Sequence, residues 1–197
     1  MEPQHRKNTE YWRKLIHISS IIIPLGYRYL LPDKRIMLTV LIPLTIIAFV
    51  IEILRLENRT FKRNFFRFFG IILRRSELKN FSGATYLLAS SVFCIAFFSR
   101  DIAFLALSSL AIGDTFAAIV GISYGKRKIR GTNKSVEGSL ACFLSTFIYG
   151  LFFVSPILAF VSGIITTYSE TSRLPIDDNL KIPIFSGLVM SVVNIFI

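Results

Sequence analysis

Asp114 stands inside an apolar run, with Gly113 before it and Ala117, Ala118 and Gly121 after it. A charged side chain in hydrocarbon is unfavourable by about 2.5 to more than 10 kcal/mol, so an intramembrane acid marks a functional position by default. The plainer reading is a helix-packing seam, since small residues at these spacings let another helix approach closely. The run then opens into Tyr124-Gly125-Lys126-Arg127-Lys128, followed by Lys134-Ser135-Val136-Glu137-Gly138-Ser139. Glycine frees backbone N–H groups to face an anion, and lysines offer point charges to phosphate oxygens. An acid in the membrane beside a basic, glycine-bearing loop points to an anionic nucleotide meeting a lipid.

Gly121-x-x-x-Gly125-Lys126 partly resembles a P-loop, but it lacks the full Gly-x-x-x-x-Gly-Lys-Ser/Thr pattern and follows a helix, so that match is rejected. Ser135 reads as a helix N-cap, with Glu137 in the first turn, where it either complements the helix dipole or contacts a metal or nucleotide. Asp177, Asp178 and Asn179 group hard oxygen donors that suit Mg²⁺, unless they form only a solvated turn. His17, one turn beyond Lys14, is either a general base or a buried hydrogen-bonding residue. Glu52 and Arg55, three apart, are placed to pair on a helix. Cys94 and Cys142 each sit in an apolar run and read as packing residues, not a disulfide.

The elements that must position these groups are helical and apolar. The chain of 197 residues is 53% hydrophobic and 14% aromatic, with a mean hydropathy of +0.59. That excludes an ordinary soluble domain and fits an all-α polytopic membrane protein, expected as one domain over 1–197 with no cleavable signal peptide. Seven spans are expected, near 15–31, 36–53, 82–98, 102–122, 138–154, 156–168 and 184–197. Between the second and third, residues 55–79 carry Phe61, Phe65, Phe68, Phe69 and Ile72 at helical spacing beside Lys62, Arg63, Arg67, Arg74 and Arg75. Aromatic and basic faces on one helix describe an element lying in the interface, or an ordinary amphipathic connector. The net charge of +11 lies mostly between the apolar runs, so it reads as topology and contact with anionic headgroups, with no nucleic-acid partner. The positive-inside rule puts the N-terminus in the cytoplasm and the C-terminus on the extracytoplasmic side of what is expected to be the cell inner (plasma) membrane. Every notable polar cluster then falls on the cytoplasmic side.

Gly113-Asp114-x-x-Ala117-Ala118-x-x-Gly121-x-x-x-Gly125-Lys126, joined to Lys134-Ser135-x-Glu137-Gly138-Ser139, resembles the signature of the CTP-dependent lipid kinases. That family includes polyprenol (dolichol), phytol and diacylglycerol kinases. Three further stretches agree: Arg13-Lys14-x-x-His17, Glu77 followed by Ser82-Gly83-Ala84-Thr85-Tyr86, and Glu170 followed by Pro175-Ile176-Asp177-Asp178-Asn179. The resemblance implies transfer of the γ-phosphoryl of CTP, or another nucleoside triphosphate, to the hydroxyl of a membrane lipid, assisted by Mg²⁺. It implies catalytic roles for Asp114, Glu137 and His17, and nucleotide contacts from Gly121, Gly125, Lys126, Lys128, Lys134 and Ser135. Asp114, Asp177, Asp178 and Asn179 are the expected metal donors; Lys14, Glu52, Glu77, Thr85 and Glu170 are further polar candidates. Polyprenol, phytol and diacylglycerol each present a hydroxyl on an apolar tail, so the acceptor stays open. Phosphatidate cytidylyl transfer is the runner-up, although the chain lacks the Pro-Gly-His-Gly-Gly-type motif of those synthases near its C-terminus. A non-enzymatic transporter or lipid-binding membrane protein using Asp114 as an ion site is a third reading. It is disfavoured because the polar groups concentrate at one membrane edge and do not run through its depth.

Overall fold

The computed structural model describes residues 17–69, 77, 80–132 and 134–197. The described residues are helical and form no strand; the nearest approach to one is an isolated bridge between Lys128 and Ser135. Lys14 and Arg13, together with Ile72, Arg74, Arg75 and Lys79 of the expected interfacial element, lie outside the described residues.

The first helix, α1, covers residues 17–30 and changes pitch along its length, from a 3₁₀ turn at Ser19–Ile21 to a π turn at Gly26–Leu30. It is followed by α2 (Lys34–Glu57), α3 (Arg59–Phe69), α4 (Gly83–Phe97) and α5 (Arg100–Ser123). The last three are α6 (Val136–Leu151), α7 (Pro156–Thr171) and α8 (Asp178–Val193). The side chain of Asp33 caps α2, accepting from the Arg35 and Ile36 N–H groups at 2.7 and 3.1 Å. Pro156 opens α7 at a position that needs no N–H donor, with Ser155 capping.

The long helix α5 is the axle. It packs against α1, α4, α6, α7 and α8, and 83% of its most apolar window is buried. The core around it joins Cys94, Ile95, Ile102, Leu105 and Leu107 to Tyr27, Leu41 and Met190. By contrast, α2 packs on α4 at the periphery, and only 17% of its window is buried. Its outer flank exposes Ile36, Val40, Leu44, Ile47 and Val50, a lipid-facing surface in a membrane protein. At about 1.5 Å per residue, the 24 residues of each of α2 and α5 reach about 36 Å, enough for a hydrocarbon core of ~30 Å.

Each of the seven expected apolar segments contains a helix, but only α2 and α5 among the described residues are long and apolar enough to cross a membrane on that measure alone. The shorter apolar helices α4 and α6 have 15 and 16 residues. Two expected boundaries are corrected. Helix α8 starts at Asp178, six residues before the expected span at Ile184, because Asp177 caps it by accepting from the Asn179 N–H at 2.9 Å. Arg55 belongs to α2, so the described helix of the interfacial element is α3.

Candidate functional site

Asp114 lies on α5, about 14 Å along the axis from Ser123 at 1.5 Å per residue. It is buried, 6% exposed. His17, on the first turn of α1 described, brings its Nε2 to 3.2 Å from Asp114 Oδ2. The pair therefore links two helices far apart in sequence.

The basic loop folds into a small hairpin that treats its lysines differently. The Ile129 N–H donates to the Lys134 carbonyl at 3.0 Å, and the Val136 N–H donates to the Arg127 carbonyl at 2.9 Å. Gly131 takes φ +76° at the tip, with the Arg173 guanidinium over it and bonded to the Arg130 carbonyl. Lys126 and Lys128 are left exposed. Lys134 alone turns inward, its Nζ 2.6 Å from Glu170 Oε1 and 3.4 Å from Asp178 Oδ2. Burial by itself pushes the Lys134 ammonium down, but the carboxylates of Asp178, Glu170 and Asp114 outweigh it and hold its pKa above the ordinary lysine value. A raised pKa means that this ion-pair contribution is complete below about 10.4, the free-lysine value, and is lost only as pH rises past the higher folded value.

Lys181, absent from the sequence-derived set, completes the cluster. It is a buried cation, 3% exposed, with its Nζ 2.9 Å from Asp178 Oδ1 and 3.4 Å from the Ser172 carbonyl. Asp178 is thus shared between two lysines. Glu170 is 4% exposed, and its second oxygen, Oε2, is buried with no hydrogen bond from any described residue. A buried carboxylate oxygen left without a donor is unfavourable by itself and suits an incoming cation or hydrogen-bond donor.

The remaining candidates divide between packing and support. Ser135 caps α6, its Oγ accepting from the Gly138 N–H at 3.2 Å. Glu137 reaches back to the Arg127 N–H at 3.2 and 3.3 Å. Its own backbone N–H, with those of Arg127 and Lys126, holds its carboxyl below the usual glutamate range. Gly121 and Gly125 serve close approach: a Cβ at Gly121 would sit 3.1 Å from Ser135 Oγ, and one at Gly125 would meet the Gly121 carbonyl and Ser135. The same holds where α6 crosses α5, since a Cβ at Gly138 would lie 2.7 Å from the Ala117 carbonyl. Asp177 spends Oδ1 on the Asn179 backbone and side-chain amides, at 2.9 and 2.8 Å.

Glu52, Glu77 and Thr85 meet in a second cluster around Arg55. This guanidinium is fully buried and pairs with Glu52. It also donates to the carbonyls of Glu77 and Asn80, each at 2.7 Å. Glu52 Oε1 accepts from the Ser82 N–H at 3.2 Å and lies 3.5 Å from Thr85 Oγ1. Glu77 Oε1 accepts from the Gly83 N–H at 2.8 Å. A Cβ at Gly83 would sit 2.6 Å from Asn179 Nδ2, so this cluster abuts the first turn of α8 and thereby Asp178.

Taken together, the geometry sets the partly exposed Lys134 between Glu170 and Asp178, with the buried Lys181 on the other side of Asp178 and Asp114 within electrostatic reach. Among the described residues, no three His, Cys, Asp or Glu side chains form a metal site by themselves.

Comparison with known proteins finds "CTP-dependent diacylglycerol kinase 1" of Saccharomyces cerevisiae, 30% identical over 75% of this chain. The protein of the same name from Eremothecium gossypii is 30% identical, covering 93% of this chain and 67% of that protein. Its Schizosaccharomyces pombe namesake is 28% identical, over 73% of this chain and 74% of that protein. The chain spans 61% of the length of the S. cerevisiae relative. No family model and no solved structure gives a significant match.

Proposed function

The chain belongs to the family of CTP-dependent lipid kinases, and from that premise we propose that it transfers the γ-phosphoryl of CTP to the hydroxyl of diacylglycerol. The names of the relatives support diacylglycerol over polyprenol or phytol as acceptor. The observation that carries the reading is the cluster of Lys134, Glu170 and Asp178 within electrostatic reach of Asp114, which His17 faces, contributed by four helices and the loop before α6. Phosphoryl transfer asks a protein mainly for positioning and charge neutralisation. In this site Lys134, with Lys181 behind it, meets the phosphates. Asp114, held by His17, orients the acceptor hydroxyl and takes its proton as the new P–O bond forms and CDP leaves.

The donor set fits Mg²⁺ arriving with the nucleotide. Glu170 and Asp178 offer hard carboxylate oxygens, one of them the bare Oε2, and phosphate oxygens complete the ligands as Mg²⁺ prefers. Bound there, the ion would neutralise charge on the transferring phosphoryl group. Asp177 and Asn179, occupied with each other, act as the scaffold of that turn. We place the site at the cytoplasmic face, with seven crossings, the N-terminus inside and the C-terminus outside.

Reconstituted protein should phosphorylate diacylglycerol with CTP at least about tenfold faster than with ATP, a difference of roughly 1.4 kcal/mol in transition-state binding, and faster than it phosphorylates a polyprenol or phytol. A preference for a polyprenol under the same conditions would keep the chemistry and replace the acceptor.

A further inference from the structure

Helix α3, sequence Arg-Thr-Phe-Lys-Arg-Asn-Phe-Phe-Arg-Phe-Phe, has four basic residues and no acid. Arg59, Arg63 and Arg67 recur every four residues, so they form one row, and all three are exposed. The half-buried Phe61 and Phe65 stack at 6.3 Å. A row of exposed guanidinium groups complements the anionic headgroup layer of a bilayer.

What α3 touches on its other side matters more. The rings of Phe65 and Phe66 stand 5.6 and 6.0 Å from the Arg55 guanidinium carbon, within cation–π range. Arg55 fixes the Glu77 and Asn80 carbonyls, Glu77 fixes the first turn of α4 at Gly83, and Gly83 lies against Asn179. Asn179 adjoins Asp178, which holds both Lys134 and Lys181. A series of neighbouring groups therefore runs from the basic helix to the lysine centre.

We propose that α3 docks on an anionic phospholipid surface and that this seating, relayed by Arg55, sets the first turn of α8 and thereby the activity. Arg55 acts here as a positioning residue. The rate part of the proposal rests on the kinase reading; the docking part does not.

The test uses the full chain reconstituted in phosphatidylcholine vesicles with or without about one-third phosphatidylglycerol. It follows amide exchange over residues 59–69 and the initial rate of diacylglycerol phosphorylation. Anionic vesicles should slow exchange in α3 and raise the rate at least about fivefold, and 1 M salt, with a screening length of about 3 Å, should erase both gains. The Arg59→Gln/Arg63→Gln/Arg67→Gln variant should match wild type in neutral vesicles and lose both gains. The Phe65→Leu/Phe66→Leu variant should keep the exchange protection and lose the rate gain. Equal exchange in the two vesicles, or gains that survive the triple variant, would overturn docking. A rate gain that survives the Leu variant would overturn the relay. Protection of α3 without phosphorylation in either vesicle would overturn the kinase reading and leave docking standing.

Discussion

Replacing Asp114 by Asn is expected to lower turnover at least about 100-fold, roughly 2.7 kcal/mol in the barrier, while the protein inserts and purifies as before. Asn keeps the size and one oxygen acceptor but removes the charge. Its side chain still faces His17, whose Nε2 lies 3.2 Å from Oδ2, so the α1–α5 contact is kept. What it loses is the ability to take the acceptor's proton or to neutralise a cation. The comparison is turnover against folded yield for wild type and variant side by side. Near-normal turnover in a well-folded Asp114→Asn protein would remove the carboxylate from the chemistry.

Lys134 should give the largest effect on nucleotide binding. Lys134→Met is expected to raise the KM for CTP about 10- to 100-fold, since a hydrogen bond to a charged group contributes roughly 1.5–3 kcal/mol. Lys134→Arg should recover part of that loss by keeping the charge. Lys126→Ala and Lys128→Ala, whose side chains the hairpin leaves outside, should change KM by less than about threefold, the scale of an exposed ion pair. Because the neighbouring carboxylates raise the Lys134 pKa, its contribution to CTP binding should stay flat from about pH 7.5 to 9.5. Steady-state kinetics across the four variants and that pH range decide the matter. Equal effects at all three lysines would return the loop to non-specific electrostatics.

The contrast among these lysines shows what a sequence withholds. Lys126, Lys128 and Lys134 carry the same charge in the same loop, and it takes the folded hairpin and the carboxylates of Glu170 and Asp178 to distinguish the inward Lys134 from the two exposed lysines. Glycine is equally ambiguous. Gly121 and Gly125 fit a phosphate cradle and a close helix crossing alike, and their neighbours are Ser135 and Gly138. Lys181 was hidden because a span starting at Ile184 left it in a polar loop. Had α8 been started at Asp178, the Asp178–Lys181 spacing of three would have signalled the pair. Other features were legible from elementary chemistry. The Ser135 cap and the Glu52–Arg55 pair each follow from local spacing, and the structure contains both, with Asp114 buried on its apolar helix. That Glu170 and Asp178 meet Lys134 follows from tertiary packing; the sequence marks Asp178 as a hard oxygen donor and Glu170 through the family resemblance, and neither as a partner of Lys134.

The most direct test of the central claim is where the label goes. Reconstituted protein with diacylglycerol is supplied in parallel with CTP labelled at the γ- or at the α-phosphorus, and the lipid extract is counted. The account predicts that γ-label enters the lipid while α-label stays in soluble CDP. Lipid-borne α-label would mean that a cytidylyl group had been transferred and would contradict the account.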